Sequence, residues 1–160
     1  ELLRRRLDLI VVSDAGADPL YTFSDIANAV ERSRVDFGVN IVFSEEYPLE
    51  DIISNCNTQE SEVEKNNDYL AKRCFAIATI QYSKETAKEK RQEGTLIYIK
   101  PTIIKGLSAD ILGYKRQNPL YPNEPTSDQF FSEQQFEAYR ELGYYLGWQM
   151  LEENKERGWL

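Results

Sequence analysis

The chain of 160 residues contains no histidine. That absence removes Ser-His-Asp and Cys-His nucleophile arrangements from within it, together with His-ligated zinc. Cysteine is almost as scarce. Cys56 and Cys74 are the only two, too few for a thiolate zinc site or a disulfide framework. Cys74 lies in an apolar run and reads as a small buried hydrophobe, with a single Cys56–Cys74 bridge as the alternative to a reduced interior. No apolar run approaches the ~20 residues that span a bilayer, and no basic-then-apolar leader opens the chain. The expected location is therefore cytoplasmic or peripheral to a membrane. Basic residues are outnumbered, 19 against 27 acidic, for a formal net charge of −8. That balance argues against a nucleic-acid partner, which wants a basic face.

What remains is an ordinary composition, 41% hydrophobic and 29% charged, and enough length for one domain with a real core. Residues 1–160 read as a single domain or a domain fragment. Glu1 stands where a Met would, inside what reads as the end of a helix, and this points to a piece of a longer protein.

The most informative stretch is Leu9-Ile10-Val11-Val12-Ser13-Asp14-Ala15-Gly16-Ala17-Asp18-Pro19. It reads as a parallel, central strand over Leu7 to Ser13, apolar on both faces, ending in a small-residue turn with two carboxylates. Turns at the carboxyl ends of strands are where open α/β sheets place ligands and chemistry. A helix follows, with Phe23, Ile26, Ala27, Val30 and Phe37 roughly on one face. Thr22 or Ser24 is placed to cap it and Gly38 to stop it. Val39 to Phe43 alternates as a second strand. Residues 45–68 are strongly acidic and read as an exposed excursion with a short helix at its end. Arg73–Tyr82 and Thr95–Pro101 read as two strands of an antiparallel hairpin, joined by a charged loop over 84–94. Ser108 is positioned to cap a short helix through Tyr114. Asn118 to Pro125 is a stiff three-proline loop. The final helix opens on a capping-box pattern, Ser132 with Gln135, carries a Phe136, Tyr139, Gly143, Leu146 and Met150 stripe, and should end near Gly158. The fold class is α/β, a mixed sheet flanked by helices.

Asp14 is the candidate catalytic residue. Asp14 and Asp18 together are the candidate metal ligands, because a divalent cation takes oxygens from several directions. The structural alternative is that Asp in such a turn bonds its own backbone. No cofactor is indicated. The nearest approach to a Gly-x-Ser-x-Gly elbow is Gly106-Leu107-Ser108-Ala109-Asp110, which lacks the last glycine. No Gly-rich phosphate loop ending in Lys-Ser/Thr is present. The aromatics, including Phe130-Phe131, Tyr144-Tyr145 and Trp148, read as core at helical spacing, with an interface or lipid-facing surface as the alternative.

Four blocks carry a family resemblance. Arg4-Arg5-Arg6 with Leu9 to Pro19, Ala27 to Val39, and Tyr98-Ile99-Lys100-Pro101 with Ser127 to Arg140 resemble, in order, the C-terminal part of large bacterial patatin-like phospholipases. The resemblance implies the C-terminal segment of a three-layer sandwich from a lipid acyl hydrolase with a Ser–Asp dyad. It implies a lipid or acyl-ester substrate, and the upstream part of the same domain as partner. Family members carry the serine in a Gly-x-Ser-x-Gly elbow and the aspartate in Asp-Gly-Gly/Ala. Here the elbow is missing and position 15 is Ala; in the related large proteins the dyad aspartate sits shortly before the Arg-rich helix, so the resemblance places the dyad upstream of Glu1 and does not transfer its role to Asp14. Asn123 stands where relatives often have His. The expected role is a supporting segment, inactive on its own, of an active lipid acyl hydrolase. The alternative is a non-catalytic regulatory or assembly module.

Overall fold

The computed structural model describes residues 1–54, 70–82, 93–125, 127 and 130–157. Four strands form one mixed sheet: β1 (Leu9–Ser13), β2 (Asn40–Phe43), β3 (Phe75–Gln81) and β4 (Glu93–Ile99). Their spatial order is β1-β4-β3-β2. β1 pairs parallel to β4, and β3 pairs antiparallel to both neighbours. Among the described residues three α-helices accompany the sheet: α1 (Ser24–Phe37), α2 (Ala109–Gln117) and α3 (Glu133–Asn154). The α/β class and the antiparallel β3–β4 pairing match the sequence.

The period-two alternation of each strand sorts side chains onto two faces. Phe75, Ile77 and Ile97 pack with Ile111 and Tyr114 of α2 and with Ala138, Leu142 and Leu146 of α3. Ala76, Ala78, Ile80, Leu96 and Tyr98 turn the other way, toward Ile10, Ile26 of α1 and Ile52. The sheet is thus buried on both faces at β3 and β4. β1 is parallel but not central: among the described residues it lies at the sheet edge, and Val11 is 49% exposed. Its apolar run mimics a central strand because Ile10 and Val12 serve one core and Leu9 the other.

Leu2 to Arg6 forms a turn in which Arg5 N–H donates to the Glu1 carbonyl at 3.1 Å, and Arg6 ends it at positive φ. Gly38 does stop α1, at φ 63, with its N–H on the Arg34 carbonyl. Gly94 lies inside β4 and does not close the preceding loop. A Cβ there would sit 2.5 Å from the Leu7 carbonyl oxygen, so only glycine lets β1's lead-in approach this closely.

The acidic stretch is not an excursion from its start. Leu49–Ile52 is a short 3-10 helix. Tyr47, Ile52 and Ser54 are buried. The guanidinium groups of Arg73 and Arg157 lie 4.4 and 4.6 Å from the centre of the Tyr47 ring, and Arg73 also pairs with Asp51 and, at 2.7 Å, with Glu153. The segment is therefore clamped between β3 and the end of α3. The remainder of that stretch, 55–68 with Cys56, lies outside the described residues, as do 84–92 and Gly158. Cys74 is a free, fully buried thiol. Its S–H donates to the Leu146 carbonyl at 3.3 Å, and burial pushes its pKa up to about 12.

α3 uses its predicted cap, with Ser132 Oγ accepting from Gln135 N–H at 3.1 Å. Its buried stripe is Gln135, Ala138, Leu142, Leu146 and Asn154. That is offset from the predicted stripe: Leu146 is buried, but Phe136 is exposed. Tyr144 and Trp148 are likewise exposed and not core, as are Phe130 and Phe131. α2 begins after Ser108 as expected and continues past Tyr114 to Gln117, and Ser108 makes no side-chain cap. No helix among the described residues is long and apolar enough to cross a membrane.

Candidate functional site

At the carboxyl ends of β1 and β4 the chain gathers Asp14, Tyr98 and Lys100. The alternation of β4 places Tyr98 and Lys100 two residues apart on one face, and Pro101 ends the strand because it has no N–H to donate. In β1, Ile10, Val12 and then Asp14 follow the same parity. The Asp14 N–H donates to the Ile99 carbonyl at 2.9 Å, so its side chain leaves the sheet just above β4.

Both carboxylate oxygens of Asp14 are engaged. Oδ1 accepts the Gly16 N–H at 2.8 Å. Oδ2 accepts the Tyr98 hydroxyl at 2.5 Å and lies 3.3 Å from Lys100 Nζ. Lys100 also donates to the Gly16 carbonyl at 2.9 Å. Gly16 is thus held from both sides, by its N–H on Asp14 and its carbonyl on Lys100. The turn is closed enough that a Cβ on Gly16 would lie 3.0 Å from Asp14 Oδ1 and 3.3 Å from Asp25 Oδ2.

Lys100 is 2% exposed and Tyr98 1%, whereas the Asp14 side chain keeps 17% of its surface. Burial alone would raise the Asp14 pKa. The Tyr98 hydroxyl, the Gly16 N–H and the Lys100 charge outweigh it and hold the carboxyl below its ordinary value. Burial, and then the Asp14 carboxylate, drive the Tyr98 phenol strongly upward. Tyr98 is therefore a proton donor locked onto Asp14 across the ordinary pH range.

Asp18 has a different set of partners. Its Oδ1 accepts the N–H and hydroxyl of Thr22 at 2.9 and 3.0 Å, and Oδ2 accepts the Phe23 N–H at 2.8 Å. Burial alone would raise its pKa, and these donors together outweigh it and hold the carboxyl below its ordinary value. Asp18 ties down the lead-in to α1, through Thr22 and Phe23 ahead of the first helical residue. Neither Thr22 nor Ser24 caps the helix: the N-cap position is Phe23, in the left-handed region with no side-chain cap of its own. Asp14 and Asp18 share no donor, and among the described residues no group of three candidate metal-ligating side chains comes together.

Two further links fix the turn. Asp18 N–H donates to Asn123 Oδ1 at 3.2 Å, so the proline-rich loop reaches back to the site through a buried asparagine. Below it runs a chain of hydroxyls. Thr102 Oγ1 donates to the Ile52 carbonyl at 2.8 Å. Tyr21 lies 3.0 Å from Thr102 and 2.6 Å from Ser54. Since the Thr102 proton is on Ile52, Tyr21 donates to Thr102 and Ser54 donates to Tyr21.

Tyr98 and Lys100 were quoted in the sequence only as part of a resembling block. Their signal was available: a lysine two residues after a tyrosine at the end of an apolar strand, followed by proline, must bury its charge against something. Ser108 lies elsewhere, 3.5 Å from Glu141, and is no part of this cluster. None of Asp14's partners is a serine. No family model, curated protein or solved structure matches this chain.

Proposed function

We propose that this chain is a non-catalytic supporting segment of a serine lipid acyl hydrolase of the patatin type. The observation that carries the supporting role is the state of Asp14. Its two oxygens are taken up by Gly16, Tyr98 and Lys100, an arrangement that anchors a turn and leaves no base directed at a hydroxyl nucleophile. The hydrolase assignment rests on the resemblance of Arg4–Arg6 with Leu9–Pro19, Ala27–Val39 and the two later blocks. On this reading the Ser–Asp dyad lies outside these 160 residues, and the serine attacks the ester carbonyl to form an acyl-enzyme that water then cleaves. The segment supports the sheet beside that dyad, in a protein that is cytoplasmic or peripheral to a membrane. The second reading is a regulatory or assembly module that keeps the fold and does no chemistry, and the same engaged aspartate favours it equally.

Hydrolysis of p-nitrophenyl butyrate by the purified chain tests the supporting role. The expected rate is that of buffer, with and without Asp14→Ala. Turnover that disappears in Asp14→Ala would place the base here and overturn the proposal. A version of the chain extended upstream of Glu1 separates the two readings: ester turnover dependent on a serine in the added part supports the hydrolase, and its absence the module.

A further inference from the structure

A cavity of about 240 Å³ opens between the end of α2, the proline-rich loop and the first turn of α3. Pro119, Leu120 and Pro125 supply its apolar wall, and Gln117, Asn118, Glu124 and Gln135 its polar groups. Each amide NH2 is turned to the protein. That of Gln117 donates to the Gly113 carbonyl at 3.4 Å, that of Asn118 to the Tyr114 carbonyl at 3.0 Å, and that of Gln135 to Glu124 Oε2 at 3.2 Å. No described residue donates to the three amide oxygens. Gln135 is the telling case. It is only 8% exposed, yet its oxygen is not sealed in, because Asn154 Oδ1 is the sole buried side-chain atom without a partner among the described residues. The Gln135 oxygen therefore opens on the cavity that the residue lines. An acceptor on a side chain this deeply buried calls for a donor from outside the protein.

Glu124 adds a charge. Its Oε1 accepts the Tyr114 hydroxyl at 3.2 Å, and its Oε2 the Gln135 amide. Burial, and then a hydrogen bond to this carboxylate, raise the Tyr139 phenol, so Tyr139 is a third neutral partner. No described cation pairs with Glu124. Lys115 spends its ammonium on the carbonyls of Pro119 and Tyr121, at 2.7 and 2.6 Å, and does not line the cavity. A carboxylate offers about four lone-pair sites, so the three neutral donors leave one unfilled. The edge-to-face stack of Tyr114, Tyr121 and Tyr139, with centroids 5.0 and 4.8 Å apart, holds this side chain in place. Gln117 is the last residue of α2, whose carboxyl end carries negative partial charge. Glu133 in the first turn of α3 offsets the positive end of that helix.

We propose that this cavity binds an alkylguanidinium group, free or as an arginine side chain. A guanidinium has five N–H donors and no acceptor, which matches one carboxylate and three amide oxygens. It is also more weakly hydrated than an ammonium and so leaves water more readily. Its alkyl stem lies against Pro119, Leu120 and Pro125. The cavity is smaller than the roughly 300 Å³ at which ordinary small-molecule sites begin, and it suits one group the size of a side chain. A set of acceptors repels phosphate and carboxylate ligands. The inference stands apart from the hydrolase reading.

Side-chain amide signals of Gln117, Asn118 and Gln135, followed by NMR in the 15N-labelled chain at constant ionic strength, test this. The probes are butylguanidinium chloride, the blocked peptide acetyl-Gly-Arg-Gly-amide and neutral butylurea. The expected result is saturable shifts, with a Kd of about 1 mM for butylguanidinium and binding about tenfold weaker or less for butylurea. Tighter binding of the peptide supports an arginine side chain as the source, and tighter binding of butylguanidinium a free small molecule. Glu124→Gln should weaken binding about tenfold or more, since a charged acceptor is lost. Gln117→Lys is the second variant. Position 117 is exposed, so the melting temperature should hold, and an ammonium on the cavity wall competes for Glu124 and abolishes binding. Absence of saturable shifts overturns the proposal, as do equal binding of butylurea and binding undiminished in both variants.

Discussion

Among the described residues the buried polar groups come in completed sets, with Asn154 Oδ1 at the end of α3 the exception. Lys100 is stable at 2% exposure because it has a carboxylate and a carbonyl within reach; an unpaired ammonium there would be intolerable. The hydroxyl chain through Ser54, Tyr21 and Thr102 is equally complete and ends on the Ile52 carbonyl. It joins the lead-in to α1, the 3-10 helix and the segment after β4. Thr102→Val keeps the shape of the side chain but leaves both the Ile52 carbonyl and the Tyr21 hydroxyl without their partner. The expected loss is about 2 kcal/mol in urea unfolding. A change within error of zero would mean that these groups find water on losing Thr102. At this scale the sequence was only partly legible. Asp14 stood out because a strand-end turn of small residues is a local pattern. Tyr98 and Lys100 carry a local hint, a lysine that must bury its charge at a strand end, but the partners of Tyr98, Lys100 and Asn123 lie 84, 86 and 105 positions away, and no local pattern names a partner at that distance.

Elements were read more reliably than their ends. Each strand and α-helix among the described residues has a counterpart in the sequence pattern, since periodicity reports burial averaged over several residues; the 3-10 helix Leu49–Ile52 has none. The start of α1 shows where that fails. A Ser or Thr next to the helix is the usual cap, but here Asp18 reaches four and five residues forward to Thr22 and Phe23. Asp18→Ala removes three hydrogen bonds and one favourable charge at the helix N-terminus. A loss of about 1–2 kcal/mol is expected, with fraying of α1 seen as faster amide exchange from Ser24 onward. Unchanged exchange there would show that the Phe23 backbone alone suffices. The offset stripe of α3 has a different cause. The helix carries apolar residues on two adjoining faces, and periodicity alone does not choose which one meets the sheet. Tertiary contact with Phe75, Ile77 and Ile97 selects Ala138, Leu142 and Leu146.

For the whole molecule, one sheet end, the lead-in to α1 and the proline-rich loop are tied by side chains at the turn over residues 14–18. Both aspartates in that turn have pKa values lowered in the folded state. A depressed carboxyl pKa contributes stability that is complete above the unfolded value, near 3.9, and is lost as pH falls through the folded value. Stability should therefore be flat from neutral pH down to about 5 with respect to these groups and fall below about 4. The fall should be shallower in Asp14→Asn, as measured by unfolding midpoints across pH. An equally steep fall would assign the acid sensitivity to other carboxylates. The overall α/β class was legible from the order of elements. The edge position of β1 was not, because a strand with apolar residues on both faces reads the same whether one neighbour or two lie beside it.

The supporting role proposed for this chain depends on Asp14 being an anchor, and its stability on removal is the direct test. Urea unfolding of Asp14→Ala beside the wild type should show a loss of about 3 kcal/mol, because the variant strands Lys100 with only the Gly16 carbonyl and leaves the Tyr98 hydroxyl without its acceptor. An Asp14→Ala protein as stable as the wild type, or more stable, would contradict the anchor and mark Asp14 instead as a functional residue held at a cost to the fold.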